Sequence, residues 1–313
     1  MYAVSVPGIS ASTNDPLAPV KPASPPSKAG GAAKTVPPAQ SKTVNSGKSS
    51  NTTDAKKPDV KVNPIDGAEM VNVPAGEFTM GSDDGYGFEK PSHKVYLDGY
   101  WIYKTAVTVA QYRKFCDATG HALPAAPSWG WQDNYPIVNV TWNDATDYAK
   151  WANATLPTEA LWEKAARGSE GRMYPWGNFW DRGKSVNSAD TNSYLEPRAV
   201  GSIADGASPC GALDMAGNVW QWCSDWFSRD TYANEISEKK SAVEAAAFKC
   251  RTAIGPVVVR NPAGPDSGEA RVIRGGCWKS RSQDNIRTSY RDCNDPSESD
   301  DTIGFRCVMP ADK

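Results

Sequence analysis

Hydrophobic and polar positions alternate with period two in only a few short stretches. Met70–Val73 and Gly76–Met80 read as strands around a Pro74-Ala75-Gly76 turn, and the aromatic-rich run Val95–Tyr103 reads as a third. Helical spacing then takes over. Thr108, with Gln111 three residues on, has capping-box spacing and opens a helix ending near Gly120. Asn143 can cap a second helix running through Trp151. Thr158 can cap a third, with Leu161, Trp162, Ala165 and Ala166 on one face and Gly168 at its end. Beyond Gly168 no long helical pattern stands out, and the Gly-, Asn- and Trp-rich remainder reads as loops held by short strands. Lys239–Gly268 reads as an insertion or long loop. The order of elements is not the strand–helix alternation of a parallel sheet.

Composition divides the chain in two. Residues 1–65 are built from Pro, Ser, Ala, Lys and Thr and hold no Trp, Phe or Cys. Such a segment buries too little apolar surface to offset its chain entropy, so it is expected to be disordered, either a bare terminus or a tether. It carries eight Lys and three Asp, a balance of +5; with a net charge of −2 overall, the remaining 248 residues carry −7. All 12 Trp lie from Trp101 onward, and residues 66–313 fit one large domain.

Several function classes drop out. A pI of about 5.8 gives no chain-wide attraction to nucleic acid. There is no run of about 18 apolar residues for a spanning helix. Two histidines, His93 and His121, cannot build a multi-histidine metal site. The start of the chain lacks the basic and apolar regions of a signal peptide, so an exported protein would have had its signal removed. Seven cysteines would leave one unpaired if the rest bridged.

Six motifs follow in order: Val73-Pro-Ala-Gly-Glu-Phe-Thr-Met-Gly81, Leu156-Pro-Thr-Glu-Ala-Leu-Trp-Glu-Lys-Ala-Ala-Arg-Gly168, Tyr174-Pro-Trp-Gly-Asn178, Asp214-Met-Ala-Gly-Asn-Val-Trp-Gln-Trp222, Arg271-Val-Ile-Arg-Gly-Gly276 and Ile303-Gly-Phe-Arg306. From about Met70 to Val308 the chain closely resembles the formylglycine-generating-enzyme (sulfatase-modifying factor) family. That resemblance implies an α+β, C-type-lectin-like fold with few short helices, short antiparallel strands and much irregular loop.

Fold does not settle function. Oxidase members of the family carry a copper-binding cysteine pair between the Gly-Gly and Gly-Phe-Arg motifs. The positions corresponding to that pair here, five residues apart, are Asn285 and Tyr290, and neither can be the thiolate that soft copper prefers. Cys277 and Cys293 lie nearby but off those positions, and read as buried or disulfide cysteines. Sulfoxide-synthase relatives use a three-histidine iron site, which two histidines cannot supply. On these grounds the chain is expected not to be an enzyme and not to hold copper.

The polar stretch 277–302 instead resembles the variable region of retroelement-diversified surface proteins, which share the lectin-like fold. Adenine changes in an Asn codon reach Ser280, Arg281, Asp284, Asn285, Asp292, Cys293, Asn294, Ser299, Asp300, Asp301 and Thr302, but not Lys279, Gln283 or Glu298. An ordinary polar surface loop is the alternative. Polar residues with interspersed rings on a rigid scaffold suit adaptable recognition. The expected ligand contacts are Trp278, Ser280, Arg281, Asp284, Asn285, Tyr290, Asp292, Asn294, Ser299 and Asp301, with framework packing the alternative for Tyr290 and Arg291. The family resemblance also implies a structural Ca²⁺ at Asp214 and Gln221, through side-chain oxygens, and Gly217 and Val219, through carbonyls; Asn187 and Asp190 match a further site less securely. Gln221 stands where the family carries Glu, which removes a negative charge from an all-oxygen site. The expected protein is a monomeric, surface-displayed or secreted bacterial lipoprotein, anchored only through its removed N-terminus. Its partner would be a protein or other macromolecule on another cell or host, not nucleic acid.

Overall fold

The computed structural model describes residues 59–189, 194–250, 253 and 255–311. Most of the stretch read as a tail, residues 1–58, lies outside them. The domain boundary nevertheless moves: β1 (Val60–Val62) pairs antiparallel with β2 (Glu69–Val73), and Asn63 and Asp66 are buried.

Among the described residues, three small sheets frame the domain. The first has the order β1–β2–β5–β11, all antiparallel, with β5 at Tyr100–Tyr103 and β11 at Val308–Pro310. The second runs β10 (Ile303–Gly304), β6 (Trp220–Trp226), β8 (Arg271–Arg274), β9 (Arg291–Asn294). The third joins β3 (Gly76–Met80), β4 (His93–Leu97) and β7 (Val259–Arg260). The single strand expected over Val95–Tyr103 is two, because Asp98-Gly99 turns the chain from β4, paired with β3, to β5, paired with β2.

Local chemistry sets the helix ends. Helix α1 (Val109–Thr119) starts at Thr108, whose hydroxyl accepts from Gln111 N while Gln111 Oε1 accepts from Thr108 N, and stops at Gly120 with φ 75°. Helix α2 (Trp142–Trp151) is capped by Thr141 with Asp144, not by Asn143: a Thr with an acid three residues on satisfies two free amides at once. Helix α3 (Glu159–Arg167) is capped by Thr158 and ends at Gly168 as expected. The long helix α4 (Thr231–Cys250) corrects the reading of this region as loop. Its Ala, Lys and Glu favour helix, but only Thr231, Tyr232 and Ala247 are buried, so no apolar stripe marked it in the sequence.

Helix α3 is buried on nearly every side and carries its own charges inward. Glu159 makes two parallel bonds of 2.7 Å to Arg291, and Glu163 pairs with Arg167 and with the fully buried Arg274. These contacts tie β8 and β9, the strands that bracket the loop 275–290, to the core.

Candidate functional site

The loop between β8 and β9 begins at Gly275-Gly276, both with positive φ (98° and 73°). A Cβ on Gly276 would stand 2.4 Å from Ile286 Cγ2, so only glycine lets the returning chain pack this closely. The return is made by a short 3-10 turn, Gln283–Ile286, in which Ser282 Oγ accepts from Asp284 N at 3.2 Å.

Two clefts flank this turn, and adjacent residues face different ones. Asn285 lines an open cleft of about 400 Å³ with Ser280 and Arg281. Its inner wall is made by the buried residues Trp220, Cys277 and Thr302, and its mouth by the exposed Lys279 and Arg281. Asp284 lines the second cleft, of about 530 Å³, with Tyr86, Arg167, Met173 and Arg287. In that wall the Arg287 guanidinium clasps Glu89 at 2.9 and 3.2 Å.

The expected contact residues thus separate. Ser280, Arg281, Asp284 and Asn285 surround the clefts. Ser280 is itself buried, and its hydroxyl accepts from Cys277 N at 3.0 Å. Trp278 turns inward instead: its ring meets Trp129 edge-on at 5.6 Å and its indole N–H donates to Asp301 O at 3.3 Å. Tyr290 is half-buried, edge-on to Tyr86 and Phe88 and 6.1 Å from Trp220. Both are packing residues first. Asp292 and Asn294 lie on β9, half-buried, and burial pushes the Asp292 carboxyl up. Asp301 pairs with Lys279 at 2.6 Å. Ser299 lies apart, lining a third cleft where His121 Nε2 is 3.0 Å from Asp144.

All seven cysteines are free thiols. Burial raises the pKa of Cys277 and of Cys293, with the Asp292 charge adding to the effect at Cys293. A neutral thiol is a poor metal ligand and nucleophile. Among the described residues no group of three or more His, Cys, Asp or Glu could hold a metal ion. The donors present do not fit the copper centre of the oxidases.

The residues expected around calcium are engaged within the protein. Gln221 Oε1 accepts from Trp162 Nε1 at 2.7 Å and from Arg306 Nε at 2.6 Å, so both its lone pairs are taken. Its amide donates in turn to Asp214 O. Arg306, buried and pulled down to about 10 by desolvation, also donates to Leu213 O at 2.7 Å and Asp214 O at 3.3 Å. In this structure a guanidinium serves these oxygens. The Asp214 carboxylate accepts from Gly201 N at 2.7 Å, while Gly217 N donates to Gly275 O. Val219 is fully buried. Asn187 is spent on Ser185 and Ala189, and Asp190 lies outside the described residues.

Sequence reasoning missed the buried network of Glu159, Glu163, Arg274 and Arg291. The only signal was arginine within strand-like runs, where burial demands a partner.

The motifs and this fold define a lectin-like α+β scaffold with a polar loop set on a charged core. Residues 56–311 match the family described as "Sulfatase-modifying factor enzyme 1-like domain", and the chain belongs to that family. It is 35% identical over 306 residues to a formylglycine-generating enzyme of Streptomyces coelicolor, covering 78% of this chain and 90% of that one. It is 34% identical to the serine/threonine-protein kinase Pkn1 of Chlamydia trachomatis, covering 77% of this chain but only 38% of the kinase. Among solved structures it is similar to PvdO from Pseudomonas aeruginosa, with TM-score 0.65, 25% identity and coverage of 82% of this chain and 100% of that one. It shares its fold with Treponema denticola variable protein 1, with TM-score 0.61, 20% identity and the same coverage.

Proposed function

We propose that the domain is a non-catalytic binding module whose 277–302 loop, diversified by a retroelement, recognises a protein or other macromolecule. It would act as a monomer displayed at the cell surface or secreted, without a nucleic-acid role. The observation that carries this reading is the cleft pair around Asp284 and Asn285. Polar side chains reach solvent there, while the glycines and arginines that bracket residues 277–290 are locked into the core. A rigid frame under adaptable side chains is how loops vary without unfolding their scaffold. Structural calcium forms no part of this proposal.

The test is population sequencing of the gene. Codons 280, 281, 284 and 285 should vary by adenine changes, with codons 274 to 276 and 291 constant. A uniform 277–302 stretch across many isolates would remove the diversification reading.

The second reading is an oxidase, favoured by the Streptomyces relative named a formylglycine-generating enzyme. Asn285 and Tyr290 at the cysteine positions speak against it. Protein given copper, oxygen and a cysteine-containing sulfatase peptide should yield no aldehyde by mass spectrometry. Aldehyde lost on mutation of Cys277 or Cys293 would establish the oxidase instead.

A further inference from the structure

A cleft of about 460 Å³ opens beside the Pro74–Gly76 turn, away from the 277–302 loop and bounded by the end of α3 and by Pro209-Cys210. Its volume is in the range of small-molecule sites. Lys164 of α3 stands in its wall, only 5% exposed. The ammonium donates to the carbonyls of Pro74 at 2.8 Å and Gly76 at 2.9 Å, in the turn that forms the same wall. Two acceptors serve three N–H bonds.

Lys164 also lacks a counter-charge. The buried Arg167, Arg274, Arg287 and Arg291 each meet a glutamate. No carboxylate is paired with Lys164 among the described residues, and burial alone pulls its pKa down to about 8. A buried cation in this state is stabilised by an anion that fits the cleft and can accept its free N–H. The surrounding wall narrows the choice. Val73, Pro74, Ala75 and Pro209 offer apolar surface, and Ser169 a hydroxyl. The exposed acids Asp59 and Glu77 also line the cleft and would repel a polyanion such as a phosphate ester. The Cys210 thiol is held neutral by burial and adds no charge.

We propose that this cleft binds a small monocarboxylate with an apolar body, its carboxylate accepting the remaining N–H of Lys164. The site is independent of the 277–302 loop, so either proposal can fail alone.

The experiment is NMR of the full-length protein with isotopically labelled lysine, following the Lys164 side-chain resonance against pH; Lys164→Arg identifies that resonance by its loss. Saturating sodium butyrate should raise the Lys164 titration midpoint by about one pH unit or more, as an opposite charge at contact does. Sodium chloride and butylamine at equal concentration should not. A midpoint unmoved by butyrate overturns the proposal. So does an equal rise with chloride, which would mean an adventitious ion only, or with butylamine, which would mean filling of the cleft without charge recognition. Should the Arg variant fold poorly, the lysine resonance that titrates near 8 identifies Lys164 instead.

Discussion

Glu159 and Arg291 face each other through two parallel hydrogen bonds of 2.7 Å, the carboxylate 2% exposed and the guanidinium fully buried. Arg291 thus belongs to the framework although it sits inside the polar 277–302 stretch. Arg291→Met would strip Glu159 of both its close hydrogen bonds and leave it in the core with only the Arg274 guanidinium, 3.6 Å away, as counter-charge. Breaking a buried pair from one side costs about 3–5 kcal/mol, so urea denaturation should show a loss of that order. A loss below about 1 kcal/mol would mean that Arg274 alone satisfies Glu159 and that the Arg291 pair is not a support of the frame.

Replacement of Arg281, Asp284 and Asn285 together by Ser should behave differently. Arg281 is exposed and Asp284 and Asn285 half-buried, with Asp284 3.3 Å from Arg287; polar changes outside the core usually move stability within about ±0.5 kcal/mol each, so the thermal transition should shift little while partner recognition collapses. The matching core control is Trp222→Ala, not Trp220→Ala, because Trp222 is fully buried whereas Trp220 also lines the cleft. Loss of the Trp222 ring should cost about 3–5 kcal/mol. Unfolding of the loop variant beside an unaffected Trp222→Ala would reverse the two roles.

Asp225 predicts a pH dependence. Burial first, then the neighbouring Glu159 charge, lifts its pKa from 3.8 to about 7. A carboxyl raised on folding binds more protons folded than unfolded, so stability falls as pH rises from about 4 to 7. The shift corresponds to roughly 4 kcal/mol at about 1.4 kcal/mol per pH unit. Asp225→Asn should flatten that fall, and the difference between variant and wild type isolates it from Glu159, whose pKa is shifted the other way. Parallel stability–pH curves would show that Asp225 is ionised throughout.

Removal of residues 1–55 should leave the melting temperature within error, since the first described strand starts at Val60 and the family match at residue 56. Extending the deletion through Asp66 should lower it clearly. That cut removes β1 and the Asp66 carboxylate, which accepts from the hydroxyls of Tyr103 at 2.7 Å and Tyr148 at 2.6 Å. Equal melting temperatures for the two truncations would place the boundary after Asp66.

What the sequence determined by itself was local or serial. Thr108 with Gln111, and Thr158 with Gly168, marked helix ends because capping acts over three or four residues. Six motifs in order marked the family. The tertiary structure alone decided which residues of 277–302 reach solvent. Trp278 and Tyr290 turn inward because Trp129, Tyr86 and Phe88, distant in sequence, offer rings to pack on. Gln221 is spent inside because Trp162 and Arg306 converge on one oxygen. Helix α4 escaped notice because a mostly exposed helix needs no apolar stripe. Lys164, one polar letter in a helical motif, became a buried cation only when the Pro74–Gly76 turn folded over it. Burial is a property of what packs around a residue, and those neighbours are set by contacts that no local pattern records.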